Sequence, residues 1–333
     1  MMKRTLAALL AVVAAGFGAA AQNQAHAQET FAPGVIFDMG GKFDKSFNEA
    51  AYVGAERFKK DTGIAYREFE VTNEGQREQA LTNMARRGVT IIVAIGFSQR
   101  SPVETVAKQF PNVKFTIVDA VVDLPNVQSV IYREHEGSFL VGMLAAMRSK
   151  TGKVGFVGGM DIPLIRKFEL GYEEGARFAN PKIEVLQNMT GSTPAAWADP
   201  TRGAELARSQ FDRGVDVVFA AAGTTGLGVL QAAKDAGKLS IGVDSNQNYL
   251  HPGSVLTSMV KRVDNAVYTA FKTAQDGTWK PGLQVIGLAE DGIGYAVDAN
   301  NAALLTPEMT AKLEATKADI IAGKIKVTDY MAK

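Results

Sequence analysis

No cysteine occurs among the 333 residues, which excludes disulfides, thiolate nucleophiles, iron–sulfur clusters and cysteine-ligated zinc. An excess of either charge is also missing. The 36 basic and 35 acidic residues leave a formal +1, so the chain has no electrostatic footprint for nucleic acid or an anionic membrane. Histidine is scarce, with three in all, and no G-x-S-x-G elbow, Walker A loop or H-E-x-x-H helix occurs. His135 and His251 stand apart, at a helix start and in a His-Pro-Gly turn. Gly223-Thr-Thr-Gly226-Leu-Gly228 follows a strand but lacks the glycine order of a dinucleotide loop. The expectation is a protein that is not an enzyme, with no catalytic residues, no metal and no cofactor. What is present, 46% hydrophobic and 21% charged residues, has the proportions of a globular protein. The length suits two domains of roughly 150 residues each.

The first segment reads as an address. Lys3 and Arg4 precede an apolar run of 16 residues, Leu6 to Ala21, and Ala25-His26-Ala27 supplies a small-x-small cleavage pattern. The run falls short of the ~20 residues a membrane span requires. Residues 1–27 are therefore expected to be a signal peptide, with a mature start near Gln28. Without Lys3 and Arg4 the formal charge moves from +1 to −1. The mature chain is expected in the periplasm as a soluble monomer, not a lipoprotein and without a direct membrane anchor.

Short β-branched runs recur along the rest of the chain: 34–38, 89–95, 114–119, 127–131, 153–157, 215–219, 239–244 and 254–257. Near-continuous apolarity in pieces of this length suits strands buried on both faces, as in parallel sheets. Between them lie helix starts of known chemistry. Ser46 with Glu49 and Ser101 with Glu104 have capping-box spacing, and Asp199-Pro200 and Thr306-Pro307 place proline after a cap. Repeated strand–helix–strand units imply two doubly wound α/β lobes. One lobe is expected over 28–150 plus 260–290 and the other over 151–259 plus 291–333. The helix from Glu134 to Met147 would carry the chain between lobes, the helix near Arg262–Gln275 would return, and Pro307–Ile321 would close the second lobe.

Ligands of open α/β sheets bind beyond the carboxyl ends of the strands. Three strands end in aspartate, at Asp38, Asp119 and Asp244, and others end in small residues around Gly96, Gly159 and Gly223. A carboxylate only accepts hydrogen bonds, so its guest must offer hydroxyls, N–H groups or a cation. Lys261, after the Asp244 strand, would repel a cation and orient a hydroxyl. A neutral, donor-rich ligand is expected. Phe43, Phe47, Phe97, Trp197 and Tyr249 fall in or beside strand-end loops, where an aromatic pair could hold a flat ring. Phe47 is the strongest of these because it opens a helix directly after Gly40-Gly41. Asn48 beside it offers both a donor and an acceptor.

The stretch Asp38-Met-Gly-Gly-Lys-Phe-Asp44-Lys-Ser46-Phe47-Asn48 resembles the opening motif of the basic membrane protein family, also called the purine-nucleoside receptor family. The likeness continues through Phe115–Asp119, Glu136–Gly142, Gly152–Gly159, Trp197–Pro200, Ala222–Gly226, Gly242–Gln247 and Thr257–Arg262, in order over the mature chain. The resemblance implies a type I periplasmic-binding fold, two doubly wound parallel-sheet lobes joined by a hinge. It implies a substrate-binding component of an ABC importer, whose partners are a nucleoside or related small molecule and a permease with its cytoplasmic ATPase. By the same resemblance, Asp38, Asp244 and Lys261 would hold ribose hydroxyls near the Gly223 backbone. Phe47 would stack on a purine, with Asn48 and Asp119 at its edge. The chain departs from the family pattern in lacking a lipid-attachment cysteine, in Thr224 where glycine is common, and in Asn246 where aspartate is frequent. Phe97 and Trp197 are candidates for further ligand contacts. A sugar receptor of the same fold is the alternative, and an exported enzyme a remote one.

Overall fold

The computed structural model describes residues 31–332, so the leader reading of 1–27 lies outside the described residues. Strand and helix alternate from β1 (Pro33–Phe37) through α1 (Phe47–Thr62), β2 (Arg67–Glu70), α2 (Gln76–Arg86) and β3 (Ile91–Ile95). The first series continues with α3 (Arg100–Gln109), β4 (Lys114–Val118) and β5 (Val127–Tyr132). The second runs through α4 (Glu134–Arg148), β6 (Lys153–Met160), α5 (Pro163–Ala179), β7 (Glu184–Gly191) and α6 (Pro200–Asp212). It goes on through β8 (Val217–Ala221), α7 (Thr224–Asp235), β9 (Leu239–Asp244) and β10 (Val255–Lys261). Then come α8 (Val263–Gln275), β11 (Gly282–Ile286), β12 (Ile293–Tyr295) and α9 (Pro307–Ile321).

Two sheets result, ordered β11-β5-β4-β3-β1-β2 and β12-β10-β9-β8-β6-β7. Every pairing in the first is parallel, and in the second only β12 runs antiparallel, against β10. The chain thus forms an α/β fold of two doubly wound sheets. Central strands β1, β3 and β8 are buried throughout, as expected of apolar segments covered on both faces by helices. The strands absent from the sequence reading, β2, β7, β11 and β12, all lie at sheet edges. Water wets one side of an edge strand, so β2 reads Arg-Glu-Phe-Glu and carries no continuous apolar signal.

The chain passes between the halves at three places: after β5, after β10, and between β11 and β12. Helix α4 packs chiefly on α5, with α9 and strands β10 and β12 beside it. It belongs to the second half, whereas the boundary read from chain order stood at residue 150. The helix pair is close because Gly142 lies against the Tyr172 carbonyl and Gly175 against the Phe139 carbonyl. A Cβ at either would sit 2.1 or 1.9 Å from those oxygens. Helix α8 returns to pack on α1 of the first half.

The proline-marked caps form: Asp199 accepts from Arg202 N at 2.9 Å and Thr306 from Met309 N at 3.2 Å. The two capping boxes do not. Ser101 is already inside α3, and Glu104 pairs with Lys108 instead. At α1 the cap is Asp44, whose carboxylate accepts from the backbone N–H of Ser46 (2.8 Å), Asn48 (3.0 Å) and Glu49 (3.0 Å). Burial raises the Asp44 pKa to about 6 against those three donors. Ser46 is thereby free to reach elsewhere.

Candidate functional site

The strand order of each sheet reverses beside β1/β3 and beside β6/β8, and such switch points open crevices at the carboxyl ends of strands. In the first sheet, Asp38 follows β1. Its backbone N–H donates to Asn48 Oδ1 (3.0 Å), and Asn48 Nδ2 donates back to the Asp38 carbonyl (3.3 Å). Arg77 of α2 donates from Nε (3.2 Å) and Nη2 (2.8 Å) to Asp38 Oδ1. Gly96, after β3, has φ +101°, and a Cβ there would lie 2.6 Å from Asp38 Oδ2. Only glycine both adopts this backbone and leaves the carboxylate room.

Asp119, after β4, and Asp244, ending β9, both adopt left-handed backbone, with φ of +69° and +63°. Such geometry is uncommon outside glycine, though Asp tolerates it better than most residues. Lys261 Nζ lies 2.7 Å from the Asp119 carboxylate and 2.9 Å from Glu134 Oε1. The ammonium also sits 5.2, 5.0 and 5.7 Å from the ring centres of Phe47, Tyr132 and Phe168. Burial raises Asp119 to about 6 even with Lys261 opposing it, and does the same to Asp244. Burial alone would lower Lys261, but Asp119, Glu134 and Asp244 hold it above its ordinary value.

The loop before α1 crosses to the second half. Ser46 Oγ donates to Asp244 Oδ2 (2.7 Å), Ser245 Oγ to the Ser46 carbonyl (2.7 Å), and Gln247 Nε2 to the Lys45 carbonyl (2.9 Å). Thr224 Oγ1, where the family commonly has glycine, donates to the Gly40 carbonyl (3.2 Å). Asn246 instead faces Asp298, donating to Oδ2 at 2.7 Å. With the loop in place the two halves share a small cavity of about 70 Å³ between their strand ends.

All nine residues singled out from the sequence line this one cavity: Asp38, Phe47, Asn48, Phe97, Asp119, Trp197, Gly223, Asp244 and Lys261. Two aromatics considered with them do not. Phe43 and Tyr249 are exposed, and Phe43 meets Tyr52 edge-on instead. Sequence reasoning missed Leu164, Ile165 and Phe168 of the cavity wall. The strand end at Gly158-Gly159 pointed to the start of α5, but Phe168 lies a turn further and reaches the cavity only through helix packing. Arg77, Glu134 and Lys167, which hold the polar groups, left no local signal. Among the described residues no group of three or more His, Cys, Asp or Glu is arranged to hold a metal ion. No helix among them is long and apolar enough to cross a membrane.

The profile of a family described as ABC transporter substrate-binding protein, PnrA-like (Bmp), matches residues 32–330. The chain belongs to the Bmp family. Bmp-family relatives include a nucleoside-binding ABC transporter protein, BmpA, of Lactococcus lactis, 32% identical over 88% of this chain and 88% of that one. An uncharacterized lipoprotein of Pyrococcus horikoshii is 34% identical over 86% of this chain and 74% of its own. A solved solute-binding protein of an ABC transporter system from Aeropyrum pernix K1 superposes with a TM-score of 0.82 at 30% identity. That match covers 89% of this chain and 92% of the other. The fold is the type I periplasmic-binding fold, and the protein is an ABC transporter substrate-binding protein. The lipoprotein name stands against the reading of an untethered chain, although these 333 residues hold no cysteine.

Proposed function

We propose that this Bmp-family protein captures a nucleoside, with purine nucleosides preferred, outside the cytoplasmic membrane. It then delivers the nucleoside to an ABC permease driven by a cytoplasmic ATPase. The observation that carries the reading is a single cavity of mixed chemistry. Buried Asp38, Asp244 and Lys261 and the buried side chain of Asp119 share it with Phe47, Phe97, Phe168 and Trp197. A ribose offers the hydroxyl donors that carboxylates need, and a base offers a flat face for the rings. A bare sugar would leave the aromatic wall uncovered. The nucleoside-binding name of the Lactococcus relative supports the same class.

In this reading Asp38, Asp244 and Lys261 take ribose hydroxyls beside the Gly223 backbone. Phe47 stacks on the base, and Asn48 and Asp119 meet its edge. Asn48 spends one donor and one acceptor on Asp38, which leaves one N–H and one lone pair for the guest. Ligand contacts from both halves favour the closed form by differential affinity, and the closed form is what the permease receives. No reaction on the ligand is involved.

Titration calorimetry with inosine, guanosine, adenosine, cytidine, ribose and the free bases tests this. A ribonucleoside should bind more tightly than ribose or any base. Asp244→Ala should weaken it about 10- to 100-fold, the worth of one or more charged hydrogen bonds. Binding of ribose alone would select the sugar receptor, turnover of a ligand would select the enzyme, and silence from every nucleoside would end the reading.

A further inference from the structure

Two buried charges stand behind the cavity without lining it. Glu134, the first residue of α4, occupies the point where the chain leaves β5 for the second half. Its Oε1 lies 2.9 Å from Lys261 Nζ and its Oε2 lies 3.0 Å from Lys167 Nζ. Lys167, on α5, also donates to the Tyr132 carbonyl at 2.6 Å and faces Asp329 at 3.7 Å. Glu134 and Lys261 are each 1% exposed and Lys167 4%. Desolvated charges persist only in well-formed sets, and here two ammoniums divide the two oxygens of one carboxylate.

The lysine head rides on a flexible four-carbon stem, so its partners decide where it rests. Asp119 draws Lys261 from the first half and Glu134 from the chain crossing, while the rings of Phe47, Tyr132 and Phe168 confine it sideways. Those two carboxylates take two of its three N–H donors, which leaves one. Lys167 stops Glu134 from turning both oxygens on Lys261 and drawing it off Asp119. Removing the Glu134 charge would instead leave two ammoniums facing each other in a dry region.

We infer that Glu134 and Lys167 are positioning residues of the binding cavity, acting through Lys261 to hold its one remaining N–H toward a bound nucleoside. This rests on the reading above, in which Lys261 touches the ligand. Neither residue meets the guest.

The test uses the full mature protein in wild-type, Glu134→Gln, Lys167→Met, Lys167→Arg and Glu134→Gln/Lys167→Met forms. Calorimetry with inosine, guanosine and adenosine is the first readout. Each charge-removing single variant should weaken binding about tenfold or more, and Lys167→Arg should stay within about threefold of wild type. The double variant should bind more tightly than either of those singles, because charge balance returns and the pair is coupled. The second readout needs no ligand. The Asp119 carboxyl titration, followed by carbon NMR, should move below its wild-type midpoint near 6 in Glu134→Gln and above it in Lys167→Met. Wild type that binds none of the three nucleosides would overturn the proposed function, with the Asp119 titration then deciding the positioning role. Singles that bind like a nucleoside-competent wild type, or an Asp119 midpoint unmoved in both, would overturn the inference. Should Glu134→Gln fail to fold, Lys167→Met against Lys167→Arg carries both readouts.

Discussion

Asp38 and Asp244 each stand at the carboxyl end of an interior strand of their own sheets, β1 and β9, and both are buried in the cavity wall. Their supports differ. Asp38 is neutralised from within its own half by the Arg77 guanidinium at 2.8 Å. Asp244 has no cation so close among the described residues. Its partner is the hydroxyl of Ser46, which arrives from the other half. Asp38 is thus answered from within its own half, whereas the partner of Asp244 comes across from the other half. The lesson is that two sheets of one architecture can support their carboxylates differently: one tip is held from within its half, the other by a contact between halves.

The largest effect should follow from breaking the support that comes from within one half. Arg77→Met leaves the Asp38 carboxylate buried without its cation and should cost about 3–5 kcal/mol of folding stability in denaturant titration. A cost below about 1 kcal/mol would mean that Asp38 needs no neutralising partner and that the contrast with Asp244 is empty.

A smaller effect per group should appear with pH, and Asp244 is one of the three groups concerned. Asp44, Asp119 and Asp244 are each raised to about 6 by burial in the folded protein. Between their unfolded values near 4 and that midpoint the folded state binds more protons. Their contribution to stability is therefore full below about pH 4 and is lost as pH rises through about 6. The ligand-free protein should lose about 1–3 kcal/mol per group across that window. Asp244→Asn should flatten the slope by one group's share, measured by unfolding at pH 4 and pH 8. An unchanged slope would remove Asp244 from the comparison.

The smallest effect belongs to the contact that joins the two sides. Ser46→Ala removes the donor to Asp244 and should cost about 1 kcal/mol of closed-state preference. The expected result is a larger radius of gyration by small-angle scattering without ligand and a several-fold weaker nucleoside affinity, with little change in unfolding. An unaltered radius and affinity would show that the loop does not hold the halves together.

Much of this was legible in the residues alone. The buried strands announced themselves because burial on both faces demands unbroken Val, Ile and Phe, as in Val35-Ile36-Phe37 and Ile91–Ile95. Asp38, Asp119, Asp244 and Gly223 could be named because the carboxyl end of a strand is a short, local landmark. Ser46 misled for the same local reason. Its spacing from Glu49 fits a capping box, yet Asp44 takes the cap and the serine hydroxyl spans to a residue 198 positions away.

The sequence by itself determined the alternation of elements, the two sheets and which strand ends carry carboxylates, because periodicity and strand termini are written within a few neighbouring residues. Tertiary structure alone decided which charge answers which: Arg77 to Asp38, Lys261 to Asp119, and Glu134 between Lys261 and Lys167. Such partners sit on different elements, tens to more than a hundred residues apart. Their pairing is set by desolvation and packing when the halves come together, and no local pattern of residues encodes it.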